Sequence, residues 1–243
     1  MEFQDRGILI QTRPFGEGDV IAILLTENHG KHAGLVKGGN SRSRRGHLEI
    51  GGEFECTWRG RMAEGLGTYS LDSAGPPPSS RFLNDPDRLL ALQALCQTLA
   101  GSLSEREPAS EIFTSVQAWL SQLEGDLWPF TLCGLEVQLL GRLGFGLDLT
   151  SCASTGQTDE LVYVSPRSGR AVSREAGAPY AERMLALPAF LIGDMSGDLD
   201  GQALAGLKLT GHFLAERVFA LQNQDLPWAR RQLEERLANN APD

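Results

Sequence analysis

Apolar and polar positions alternate in short runs through the first 80 residues, and turns rich in glycine or polar residues separate the runs. "RGILIQTR" and "DVIAILLT" flank the glycine-rich "FGEG", and "KHAGLVKGG" follows "ENHG", which reads as a hairpin connection. "GEFECTWRGR" alternates strictly, with Phe54, Cys56 and Trp58 on one side and Glu55, Thr57 and Arg59 on the other. "LGTYSLDS" supplies a fifth run. Such spacing predicts a small closed barrel, and the five-stranded barrel built for oligomer binding is the OB-fold. Trp58 shares the apolar side, which places it in the core and not on a base-stacking platform.

"SAGPPPSSRF" then marks a stiff linker. Beyond it the apolar period becomes helical. "NDPDRLLALQALCQTLAGSL" places Leu89, Leu92, Cys96, Leu99 and Leu103 on one face, with Asp85 as N-cap and Pro86 at the first helical position. Phe113, Val116, Leu120 and Leu123 continue the pattern, as do Leu132, Leu135, Leu139 and Leu143 before Gly144 and Gly146. Residues 150–180 lose the period and read as an irregular insert. Helix returns in "GQALAGLKLTGHFLAERVFALQ" and "LPWARRQLEERLAN". The expected architecture is α+β: an OB-fold β-barrel over residues 1–80, then an α-helical domain over 81–243.

Composition narrows the class. Hydrophobic residues at 41% and charged residues at 22% describe an ordinary globular chain. No apolar run reaches membrane-spanning length, and "MEFQDRGILI" lacks a secretory signal, so the expected compartment is cytoplasmic. Cys56, Cys96, Cys133 and Cys152 are widely spaced and are expected to be reduced, mostly buried thiols.

The formal charge of −9 is unevenly spread. Residues 1–80 hold nine Lys/Arg against ten Asp/Glu, whereas the remainder holds 13 against 21. Within the nearly neutral part, "KGGNSRSRRGH" (residues 37–47) carries Lys37, Arg42, Arg44 and Arg45 and no carboxylate. It reads either as a solvated loop or as a contact for a polyanion such as nucleic acid. On the second reading these four cations touch phosphates, and Arg59 and Arg61 on the polar face of the fourth strand join them.

Catalytic constellations are missing from the sequence. There is no nucleophile elbow, no phosphate-cradling glycine loop and no H-E-x-x-H, so no catalytic residue, metal ligand or cofactor is assigned. His29 and His32 in "HGKH" belong to a turn on this reading, and Glu17 and Asp19 to a solvated one. "SGDLDG" (residues 196–201) places Leu207 where a calcium loop needs glutamate, and is read as an acidic helix cap.

The order of these features resembles the RecO family of bacterial recombination mediators. "ILIQTRPFGEGDVIAILLTENHGK" is similar to the family's opening, and its lysine–glycine pair falls on Lys37 and Gly38. "LEVQLLGRLGFGLDLTSCASTG" resembles the passage from a leucine-rich helix into the family's zinc-binding region, and "PWARRQLEERL" resembles its closing helix. The resemblance implies a non-enzymatic role in recombinational repair. It implies binding of single- and double-stranded DNA, annealing of complementary strands, and contacts with single-stranded DNA-binding protein and RecR that help RecA load. For the acidic, aromatic-ended tail of such a partner, Arg142 beside Leu139 and Leu143 is the candidate groove. An OB-fold adaptor gripping acidic protein segments is the competing reading. The zinc region departs from the family's two C-x-x-C pairs: Cys152 keeps the first position, while Thr155, Ser173 and Ala176 take the others. One cysteine cannot hold a tetrahedral zinc, so the loop is expected to stand without metal.

Overall fold

A computed structural model describes residues 1–41, 46, 48–62 and 65–240. The five predicted runs form β1 (Glu2–Phe15), β2 (Asp19–Thr26), β3 (Gly30–Val36), β4 (Glu53–Arg59) and β5 (Gly67–Ser73). They close into a barrel of order β1-β2-β3-β5-β4. The first strand is longer than its apolar run because it has two jobs. Residues 2–8 pair antiparallel with β4, and residues 7–15 pair antiparallel with β2, with a register shift between Leu9 and Gln11. Such an irregularity bends a strand and lets it serve two edges of one barrel. Closure is completed by a short parallel contact, Gly34 with Gly67 and Leu35 with Thr68. This five-stranded closed topology is an OB barrel. Its core holds Leu9, Ala22, Leu24, Val36, Phe54, Cys56, Trp58 and Tyr69.

After a 3₁₀ turn at Pro78–Arg81, α1 (Pro86–Ser102) starts as the sequence dictates. The Asp85 side chain accepts from the Arg88 amide at 3.1 Å, and proline occupies the first turn. α2 (Ser110–Gln122) follows. Residues 1–121 form one compact unit and residues 122–243 a second.

In the first unit, the connection between α1 and α2 is fastened to the β2–β3 hairpin. The Lys31 ammonium donates to the Ala100 carbonyl at 2.7 Å near the end of α1, and the Arg106 amide donates to the Lys31 carbonyl at 2.8 Å. Gly30 makes this approach possible. Its φ is +66°, and a Cβ there would lie 1.9 Å from the Glu107 carbonyl oxygen.

The second unit contains α3 (Trp128–Arg142), α5 (Leu199–Phe213) and α6 (Trp228–Asn240), with a small sheet between them in sequence. That sheet runs β7-β6-β8, from β6 (Leu161–Val164), β7 (Ala171–Ser173) and β8 (Leu185–Ala186), with a single helical turn α4 (Arg174–Gly177) after β7. Asp198 caps α5 by accepting from the Gly201 amide at 3.1 Å, the role read for "SGDLDG". At the centre, Arg230 of α6 grips Glu136 of α3 through Nε at 2.6 Å and Nη2 at 3.0 Å. Both side chains are buried, Thr210 donates its hydroxyl to the same carboxylate, and Arg230 Nη2 also donates to the Leu207 carbonyl at 2.6 Å. Among the described residues no helix is long and apolar enough to cross a membrane.

Candidate nucleic-acid interface

The basic segment springs from the end of β3. Lys37 is exposed, and Gly38 turns the chain with a φ of +64°, a value few side chains tolerate. Its base is tied to the β1–β2 turn: the Gly38 amide donates to Asp19 Oδ1 at 2.8 Å, and the Asn40 amide to the Gly18 carbonyl at 3.0 Å. Asp19, read from sequence as half of a solvated acidic pair, is thus an anchor for the loop. Arg42, Arg44 and Arg45 lie outside the described residues.

Beside this base, the barrel's parallel seam opens into a groove of about 590 Å³. Lys37 and Arg59 line it, together with Thr57, Thr68, Ser70 and Asp72. The short β3–β5 pairing explains the opening, since only two residue pairs hold those strands together. Arg59 points outward with its side chain 68% exposed and pairs with Glu2 at 2.9 Å. Exposed pairs of this kind contribute little to stability, so a phosphate can compete for the guanidinium. Arg61 is exposed in the β4–β5 connection. Of the six cations read from sequence, the fold brings Lys37 and Arg59 to one groove.

Trp58 is buried, as its alternation requires, and its indole donates to the Ala33 carbonyl at 3.2 Å. The histidines divide. His29 sits in the β2–β3 turn, but His32 belongs to β3 and is buried, a correction to the reading that placed both in a turn. Among the described residues, no three His, Cys, Asp or Glu side chains are grouped to hold a metal.

His29 is held by Asp5, whose side chain is 1% exposed, through Nδ1 at 2.7 Å. Asp5 also accepts from the Arg6 amide and from the Asn28 amide and side chain, each at 2.9 Å. Burial works to raise the Asp5 pKa, yet these bonds, from His29 and Asn28 foremost, outweigh it and hold the carboxyl below its ordinary value. The sequence signal for this anchor is parity. Asp5 shares its side of β1 with Phe3, Gly7 and Leu9, and an acid there needs partners.

In the second unit, two of the positions aligned with the family's zinc region, Thr155 and Ser173, meet at the sulfur of Cys152. The Ser173 amide and hydroxyl reach Cys152 Sγ at 3.3 and 3.4 Å, and Thr155 also hydrogen-bonds to it. Burial would raise this thiol, but the bonds from Ser173 and Thr155 bring it down to about 6. One sulfur, two neutral hydroxyls and an alanine methyl do not fit zinc. The other three thiols are also free and buried, and burial pushes Cys56 and Cys96 up to about 12. The proposed tail groove needs correction at one residue. Leu139 is fully buried in the helical core and presents no surface, whereas Arg142 is exposed and Leu143 half-buried.

An OB barrel followed by a separate, mainly helical unit defines the class. Residues 1–73 match the model for "Recombination protein O N terminal", and residues 83–224 the model for "Recombination protein O C terminal". Proteins described as "DNA repair protein RecO" align over nearly the whole chain. The one from Rhodospirillum centenum is 44% identical over 97% of this chain and 94% of its own length. That from Phenylobacterium zucineum is 44% identical over 98% of both, and that from Rhodospirillum rubrum 42% over 98% and 96%. The chain belongs to the RecO family of DNA repair proteins.

Proposed function

We propose that the protein is a recombination mediator that binds DNA through the barrel and anneals complementary strands without catalysis. The observation that carries this reading is the seam groove, where Lys37 and Arg59 stand beside the anchored root of the basic loop. Lys37, Arg42, Arg44, Arg45, Arg59 and Arg61 supply charges that contact phosphates and ignore base identity. Two strands whose repulsion is screened by such side chains meet more often, and binding energy alone does the work. Single- and double-stranded DNA are both substrates of this surface.

Single-stranded DNA-binding protein, RecR and, indirectly, RecA are the partners, and the site of action is the cytoplasm. Arg142, with Leu143, meets the tail of single-stranded DNA-binding protein on the exposed end of α3. Annealing of fluorescently labelled complementary strands, naked and coated, tests both parts. The protein should accelerate both reactions with no ATP present. Arg142→Glu should slow annealing of coated strands and spare naked ones. Failure to anneal any substrate would overturn the mediator reading, and binding of acidic peptides with no binding of DNA would favour an adaptor.

A further inference from the structure

At the end of the barrel where β1 begins and β4 finishes, rings are stacked against one another. The Phe3 ring lies 3.9 Å from that of His29 at an interplanar angle of 13°, and 5.5 Å from that of Trp58 at 15°. His32 meets both Phe3 and Trp58 edge-on. These four residues, with Asn28 and Arg106, border a pocket of about 380 Å³. The phenyl and indole are largely interior, but the His29 side chain remains 40% exposed. The Asp5 bond at Nδ1 and the Phe3 ring stacked on one face together fix the orientation of that imidazole.

Arg106 adds a second, independent feature. Its backbone is held at a φ of +63°, a conformation costly for a residue with a side chain. The Lys31 carbonyl that accepts from its amide keeps it there. One guanidinium nitrogen, Nη2, donates to the Gly65 carbonyl at 3.1 Å, while Nε is buried with no hydrogen-bond partner among the described residues. A buried, unused donor on a charged group is a costly feature in a fold, and the guanidinium that carries it borders the pocket. Glu2 also borders the pocket, but its carboxylate is already paired with Arg59.

We propose that this pocket receives one unstacked nucleobase of single-stranded DNA, which lies on the open face of His29 and offers an acceptor to Arg106. A base suits the site better than an apolar protein side chain on three counts. Aromatic and imidazole rings line the pocket, the polar group is a donor, and Arg59, next to Trp58 in the chain, with Arg61 two residues further on, is there to hold the flanking phosphates. Stacking on an aromatic side chain is tolerant of sequence, which a mediator acting on any strand requires. The proposal rests on the DNA-binding reading above and adds a contact that phosphate neutralisation alone does not make.

Two oligonucleotides of equal length and charge separate the two ideas: a thymidine strand, and the same strand with abasic residues. Fluorescence anisotropy should give the wild-type protein roughly tenfold tighter binding to the thymidine strand, the scale of one stacked base. His29→Ala should lose that preference while binding the abasic strand as wild type does. His29→Phe, which keeps a ring but cannot bond Asp5, should retain it. Equal preference in wild type and His29→Ala, or its loss in both variants, would overturn the pocket and leave the DNA-binding reading standing; an aromatic-ended peptide that competes in the first case would identify a protein occupant. Wild-type protein that binds neither strand would overturn both.

Discussion

Cys152 shows how a buried thiol is held by neighbouring polar groups. The thiol is buried and is stabilised as the thiolate by Ser173 and Thr155, so its pKa falls to about 6, whereas an unfolded cysteine titrates near 8.5. A depressed folded pKa contributes stability that is fully present above the unfolded value and is lost as pH falls through the folded one. The melting temperature of the wild type should therefore fall, relative to Cys152→Ala, as pH is lowered from about 9 to about 6. Parallel curves for the two proteins would show that the sulfur is neutral throughout. Sequence alone locates Cys152, Thr155, Ser173 and Ala176 as the four positions, because the resemblance supplies their order. The hydrogen bonds to the Cys152 sulfur depend on bringing residue 173 back to residue 152, and no local pattern encodes that return.

Among the elements, those whose period matches one environment were the easiest to read. β2 coincides with "DVIAILLT", and β4 follows the strict alternation around Trp58. β1 is legible chiefly in its apolar middle, since its two ends pair with different strands and carry few apolar side chains. Likewise, the 3.6 period marks α3 and α6 but gives no hint that Glu136 and Arg230 meet. In a helix dominated by charge, such as "WARRQLEERLANN", the one buried arginine looks like its exposed neighbours. Its removal should be severe. Arg230→Ala leaves the Glu136 carboxylate buried without its cation and should cost about 3–5 kcal/mol in chemical denaturation. The double replacement Arg230→Met with Glu136→Leu should recover much of that loss, because an apolar pair of similar volume needs no hydration. A single Arg230→Ala variant as stable as wild type would contradict the role assigned to the pair.

For the whole molecule, the proposed function depends on charge placement more than on charge total. The protein is acidic overall, with a formal charge of −9, and the proposal has DNA meet a local field. The stiff proline linker marks where the composition changes, and the family models likewise leave residues 74–82 between them. Packing divides the chain later, after residue 121, because the α1–α2 connection is bolted to the β2–β3 hairpin by Lys31 and Arg106. That fastening is long-range and was invisible in sequence, as was the aromatic pocket it helps to wall. The basic loop was legible because a carboxylate-free run of cations stands out in an acidic chain. Its contact with phosphate is the central claim, and the salt dependence of binding to a single-stranded oligonucleotide tests it most directly. The loop's four cations, neutralising three or four phosphates, should contribute about −2 to −3 to the slope of log Kobs against log salt. Replacing Arg42, Arg44 and Arg45 together by alanine should weaken binding equally on all sequences and flatten that slope by about 2. An unchanged affinity and slope in the triple variant would contradict the account and return the loop to solvent.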